Sequence, residues 1–347
     1  MKYKLTATVA AAAMTIGFTA SAGMAAETEL NIFNWGNYTN PKLIEKFEKE
    51  FNVKVTVTDY DSNDTALAKI RAGGHGYDIV VPSASFIPIW VGEGLLLETN
   101  PGSMENAKNL SAQWKDPEFD TGRKYTAPWQ WGTTGVAVNT DAYSGDVNTS
   151  AIFMDPPKEL EGKVNVVPEM ADIMGLAIKY VGGEACTADK EVLKKVRDAL
   201  VAAKPKWLAM DYGTTEKLSS GDWVASVNWN GSTFRARLKN PKVKYGYPKE
   251  GFPIWADQVV VLKDAKNPET AKAFQNFIMD PQNAALISEF ARYANAIEGS
   301  AEFMPADMKD APELNIPAEL VSKGYISKTC PPEATELYTA IWTELTK

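Results

Sequence analysis

Between residues 30 and 83 the hydrophobic spacing switches repeatedly between the alternation of a strand and the one-sided stripe of a helix, and few folds tolerate that order. LNIF (30–33) reads as a strand. NPKLIEKFEKEF follows with Pro41 in a first helical turn and Leu43, Ile44, Phe47 and Phe51 on one face. VKVTVTDY (53–60) alternates as a strand, ALAKIRAG reads as a helix, and YDIVVPS (77–83) reads as a third strand. A helix between consecutive strands returns the chain to the same end of the sheet. The expectation is therefore an α/β fold built on a mainly parallel sheet, with functional loops at the strand ends.

The pattern changes at WQWGTTGVAVN (129–139), an extended run long enough to carry the chain from one lobe to another. A second α/β stretch follows: strand KVNVV (163–167), helix MADIMGLAIKYVG, helix DKEVLKKVRDALVAA and strand VASVNW (224–229). FPIWADQVVVL (252–262) reads as a return crossing. Helices PETAKAFQNFIM and QNAALISEFA come next, and the chain ends on an amphipathic helix carrying Leu337, Ile341 and Leu345. The roughly 320 residues that follow the first 26 exceed what one core usually serves, so two lobes joined by crossings are expected. The boundaries read from this order place 27–133 and 256–300 in the first lobe, and 134–255 and 301–347 in the second.

Residues 1–26 carry Lys2 and Lys4, a short apolar run and then small residues, the pattern of a cleaved export signal. Cleavage could fall after Ala22 or Ala26, and Ala26 is preferred because the first strand begins soon after. No later segment approaches the ~20 apolar residues of a membrane span. Without Lys2 and Lys4, 34 basic residues stand against 44 acidic ones. That balance argues against nucleic acid and anionic lipid as partners and is compatible with a cationic ligand. Cys186 and Cys330, in an exported chain, suggest one disulfide. The single histidine, His75, lies in AGGHGYD and reads as a solvated turn residue. One histidine excludes multi-histidine metal sites, and no phosphate loop, dinucleotide fingerprint or GxSxG elbow is present. No metal and no cofactor are expected.

Four tryptophans stand at the polar ends of predicted strands: Trp35 in IFNWGNY, Trp131 in WQWGTTG, Trp229 in SVNWNGS and Trp255 in IWADQ. Singly, each reads as a packing residue. Together they point to an aromatic-lined pocket.

These stretches, with YDIVVPS, NWNGSTFRAR, IWADQVVVL and NPETAKAFQNFIMDPQNA, resemble the periplasmic substrate-binding proteins of polyamine ABC transporters, over nearly the whole mature chain. The resemblance implies a two-lobed periplasmic binding protein fold, a monomer in the periplasm, an ABC permease as partner, and a polyamine such as putrescine or spermidine as ligand. It implies Trp35, Tyr38, Trp229 and Trp255 as walls of the slot, Asp257 as an ammonium-binding acid, Glu169 and Asp172 as a second acidic group, and Ser83 and Tyr293 as hydrogen-bonding positions. The chemistry is coherent. Methylene burial is worth ~0.8 kcal/mol per CH2 and cation-π contact ~0.5–2 kcal/mol, and buried ammonium groups need carboxylates. The resemblance also places both cysteines in the second lobe. Departures from the family pattern are Asn37, where an acid is common, Ser85, where spermidine binders tend to carry a tyrosine, and Ser327, where some members use a glutamine. They favour a diamine or a differently substituted amine.

Other readings stay open on the residues alone. Glu169 and Asp172, three apart in PEMADIM, could be first-turn acids of a helix or the acid/base pair of an exported hydrolase. Arg235, Arg237 and Arg292 could serve an anionic solute, and sugars also stack on tryptophan.

Overall fold

The computed structural model describes residues 28–347; the export signal assigned to 1–26 lies outside the described residues. Among the described residues ten strands form one sheet, eight of them in a single path: β1 (Thr28–Trp35), β2 (Val53–Tyr60), β3 (Ile79–Val80), β4 (Thr126–Asn139), β5 (Val164–Val166), β6 (Ala209–Met210), β7 (Ala225–Trp229), β8 (Val243–Gly246), β9 (Phe252–Val261) and β10 (Gly324–Ile326). The order is β2-β1-β3-β9-β4-β7-β5-β6, with β10 beside β9 and β8 beside β4. Outer pairs are parallel, as the strand–helix–strand sequence requires. The central strands β4 and β9 run antiparallel to each other and to the lobe strands β7 and β3 that they meet.

Two lobes follow from this path, and each has its own core. In the first, Leu30, Ile32, Phe47, Trp129, Val259 and Phe274 pack on one face of the sheet. Phe33, Ile87, Trp90 and Val260 pack on the other, so successive residues of β1 and β9 enter opposite layers. In the second, Val164, Leu176, Leu193, Val227, Phe252 and Tyr338 share a core. β4 and β9 cross between them: Thr126–Thr133 of β4 pair with β9, and Thr134–Val138 pair with β7.

Helix caps agree with the sequence. Asn40 accepts from the Lys42 amide ahead of helix Pro41–Phe51, Asp189 accepts from Glu191 and Val192 ahead of helix Lys190–Ala203, and Asp280 does the same for helix Pro281–Ala291. Cys186 and Cys330 are joined in a disulfide with Cα atoms 5.0 Å apart. It ties the loop after helix Met170–Tyr180 to the segment leading into the C-terminal helix Pro332–Thr346.

Two local readings need correction, and the stretch after Trp229, which had no assignment, takes a definite form. The third strand is two residues long: Pro82 has no N–H for a ladder, and beyond it Ser83 makes only an isolated bridge with Asp257. The polar stretch after Trp229 is the helix Asn230–Lys239. Its Gly231 is required, because a Cβ there would lie 2.5 Å from the Tyr293 ring. His75 is not solvated at its ring: the side chain is 2% exposed, stacks on Tyr77, and lies 3.4 Å from Asp264. Among the described residues, no helix is long and apolar enough to cross a membrane.

Candidate functional site

The strand ends of both lobes converge on one cleft of about 260 Å³, and all nine site residues expected from the sequence line it. From the first lobe come Trp35 at the end of β1, Tyr38 in the turn that follows, Ser83 beyond β3 and Asp257 within β9, and Trp255 stands where β9 crosses between the lobes. Tyr293 follows helix Pro281–Ala291. From the second lobe come Trp229 at the end of β7 and Glu169 and Asp172 at the start of helix Met170–Tyr180. Asn37, Ser85 and Ser327, the three departures, line it as well. Trp131 does not. Its indole Nε1 donates to the Asn295 carbonyl at 3.0 Å and the ring packs on Trp114, so it is a packing tryptophan.

Asp257 is held from both sides. Its Oδ1 accepts from Ser83 Oγ at 2.7 Å and its Oδ2 from Tyr38 Oη at 2.8 Å. The next residue fixes the strand, with Gln258 N donating to the Pro82 carbonyl and Gln258 Oε1 accepting from the fully buried Arg123 at 3.0 Å. Asp257 is only 5% exposed, and burial pushes its pKa up to about 7 against the two hydroxyl donors.

Asp172 accepts from Trp229 Nε1 at 2.8 Å, and burial lifts it to about 6. Glu169 precedes the helix without capping it: no side-chain cap bond forms, and its Oε2 instead accepts from Tyr212 Oη at 3.4 Å. Burial, and then the neighbouring Asp172 charge, hold Glu169 well above the usual carboxylate range. Asp172 does stand in the first turn of this helix, as one reading had it, while Glu169 makes no cap bond, and both acids line the cleft. Among the described residues, none of the three acids is ion-paired to a lysine, arginine or histidine.

The walls are aromatic. Trp35 packs on Tyr60 with ring centroids 4.6 Å apart, and its Nε1 donates to the Val81 carbonyl at 2.9 Å. Tyr293 stands edge-on to both Tyr38 and Trp255. Tyr212 stacks on Trp229 at 6.3 Å and 12°. Sequence reasoning missed Tyr60, Asp61 and Tyr212 as lining residues. The strand ending at Tyr60 carried a signal, since its last residues point to the same loops as Trp35. Tyr212, in a turn between short elements, carried none.

Of the three arginines that kept an anionic solute open, Arg237 is paired with the buried Glu313 and Arg292 with Asp307. Arg235 does line the cleft, held by the Ser232 hydroxyl and the Ala291 carbonyl. The arrangement can therefore bury an apolar chain between rings and neutralise positive charge at two separated acidic points.

Two α/β lobes, joined by crossing strands over one such cleft, define a two-lobed binding protein of the periplasmic type. The chain belongs to the bacterial extracellular solute-binding protein family, whose profile matches residues 42–316. It is 29% identical over 348 residues to a putrescine-binding periplasmic protein of Pseudomonas aeruginosa, covering 93% of this chain and 94% of the relative. A putrescine-binding periplasmic protein of Escherichia coli is 28% identical over 349 residues, with 93% and 92% covered. Among solved structures, a putative spermidine/putrescine ABC transporter protein from Listeria monocytogenes superposes with a TM-score of 0.86 at 28% identity, covering 92% of this chain and 99% of that one.

Proposed function

We propose that the protein captures a polyamine, putrescine or spermidine, in the periplasm and delivers it as a monomer to an ABC permease. The observation that carries this reading is the set of three desolvated carboxylates, Asp257, Asp172 and Glu169, inside aromatic walls and without a basic partner among the described residues. Such acids are unfavourable in the empty protein and become favourable when ammonium groups reach them. The names of the relatives support the same ligand class.

In this reading Asp257, with Tyr38 and Ser83, receives one ammonium group, and Asp172 and Glu169 receive the other. Trp35, Trp229, Trp255 and Tyr293 enclose the methylene chain. The lobes, bounded near 133/134 and 255/256, hinge at 132–135 and 253–256 and close on the ligand. Binding occurs without turnover. A thermal-shift panel of polyamines, amino acids, sugars and small anions tests the class, because a ligand selective for the folded state raises stability by RT ln(1 + [L]/Kd). Stabilisation by putrescine or spermidine, with the amine recovered unchanged, is the expected result. Stabilisation by uncharged or anionic solutes alone overturns it. Arg235 favours a second reading, an amine that also bears a carboxylate, which ω-amino acids in the same panel address.

A further inference from the structure

Among the described residues, Arg235 is the one basic side chain that lines the cleft. It stands on helix Asn230–Lys239 of the second lobe, and its guanidinium reaches across to the first. There Nη1 donates to the Ala291 carbonyl at the end of helix Pro281–Ala291, and the head lies 5.7 Å from the centre of the Tyr293 ring. Nη2 donates to Ser232 Oγ at 3.1 Å, and Ser232 Oγ lies 3.2 Å from Tyr293 Oη. The head group is therefore fixed from both lobes. Tyr293 stands edge-on to Tyr38, the donor to Asp257, so the arginine belongs to the Asp257 end of the cleft.

Both acceptors of Arg235 are neutral. Two of the five N–H groups of an arginine are used in this way, and the others have no protein acceptor among the described residues. Glu216 lines the same cleft, yet among the described residues no carboxylate pairs with Arg235, whereas Arg237 and Arg292 nearby both have acid partners. A half-buried guanidinium in this state has given up hydration for two neutral hydrogen bonds. Its planar fork, with donors to spare, is suited to a carboxylate.

The cleft thus offers three points of recognition: Asp257, the Asp172–Glu169 pair, and an arginine of opposite sign. Putrescine satisfies the first two and sets an ammonium group in the same cleft as a like charge. We infer that Arg235 is a specificity-determining residue that fits the cleft to a diamine bearing a carboxylate, an α,ω-diamino acid. This rests on the cationic reading above, since the two ammonium groups keep the acidic points proposed for a polyamine. The carboxylate, attached beside the ammonium group at Asp257, accepts from the free N–H groups of Arg235.

The test is calorimetry of putrescine and L-ornithine on the full mature chain, its disulfide intact, in wild type, Arg235→Met and Arg235→Lys. Ornithine is putrescine with one carboxylate added, so the pair isolates that group. Wild type should bind ornithine at least as tightly as putrescine. Arg235→Met should weaken ornithine about 10- to 150-fold, the worth of a charge-assisted hydrogen bond, and leave putrescine unchanged or tighter. Arg235→Lys keeps the charge without the fork and should fall between. Wild type that binds putrescine but not ornithine, or an Arg235→Met variant that loses both equally, overturns the inference and leaves the polyamine reading standing; equal loss marks an arginine that only braces the lobes. Binding of ornithine alone, lost in Arg235→Met, upholds the inference and overturns the polyamine reading, and binding of neither overturns both.

Discussion

Replacing Asp257 by Asn should make the empty protein more stable and the ligand-bound one less so. Burial carries Asp257 from 3.8 to about 7. At about 1.4 kcal/mol per pKa unit, ionising it in the folded chain costs on the order of 4 kcal/mol relative to the unfolded chain. Between pH 4 and pH 7 the folded chain keeps a proton that the unfolded chain has released, so this group lowers apo stability as pH rises through that window. Below it both states are protonated and the penalty is absent. Asparagine cannot ionise. It still accepts from one of Ser83 and Tyr38, and weakening the other bond costs about 1 kcal/mol. The balance is a gain of about 2–3 kcal/mol for the apo variant at pH 8, turning into a small loss near pH 4. Urea unfolding of both proteins at the two pH values, without ligand, reads this directly. Putrescine affinity of the variant should fall about 10- to 150-fold, the worth of a charge-assisted hydrogen bond. A variant less stable than wild type at pH 8, or one that binds putrescine equally well, refutes the reasoning.

The remaining expectations concern the rest of the cleft and its frame. Because Asp172 and Asp257 sit at about 6 and about 7 when the cleft is empty, a bound dication should lower both, so affinity weakens from pH 8 to pH 5.5 and binding releases protons; calorimetry in buffers of different ionisation enthalpy measures the release. Trp229→Phe keeps an aromatic wall but removes the donor to Asp172, and should weaken diamine binding about 3- to 10-fold with most of the loss above pH 6. A double Cys186→Ser, Cys330→Ser variant reopens a loop of 144 residues and should lose up to about 5 kcal/mol in the chain-entropy view, read by denaturant midpoint. Small-angle scattering should show a smaller radius of gyration with bound putrescine, and unchanged curves would count against hinge closure.

Much of the scaffold was legible because its strands obey simple spacing. VKVTVTDY is β2 to the residue, and the long run around WQWGTTGVAVN is β4, whose near-continuous burial reflects its place between two lobes. The helix after Trp229 was not legible. Asn, Gly, Ser and Thr are poor helix formers, and the reason for them is tertiary, the close approach of Tyr293 at Gly231. His75 misled for a similar reason: a glycine-rich turn gives no hint that its ring is sheltered against Tyr77. In the site, tryptophans at strand ends were readable because a large indole beside asparagine and glycine is locally unexpected. Acidic pairs were ambiguous until the geometry showed Glu169 facing Tyr212 and leaving the helix amides uncapped. Tyr212 depends on which turn folds over which strand, and no local pattern reports that.

The placement of β9 between β3 and β4 also governs when the chain can fold during synthesis and export. The first lobe's sheet is interrupted until residues 252–261 arrive, although its other strands lie among the first 139 residues. The helices that cover it, Pro268–Ile278 and Pro281–Ala291, come later still. An N-terminal fragment emerging from a ribosome or a membrane pore therefore carries an open edge and cannot close its core. Such long-range strand insertion slows folding. In a chain exported unfolded, such a delay would keep it threadable until nearly all of it has passed.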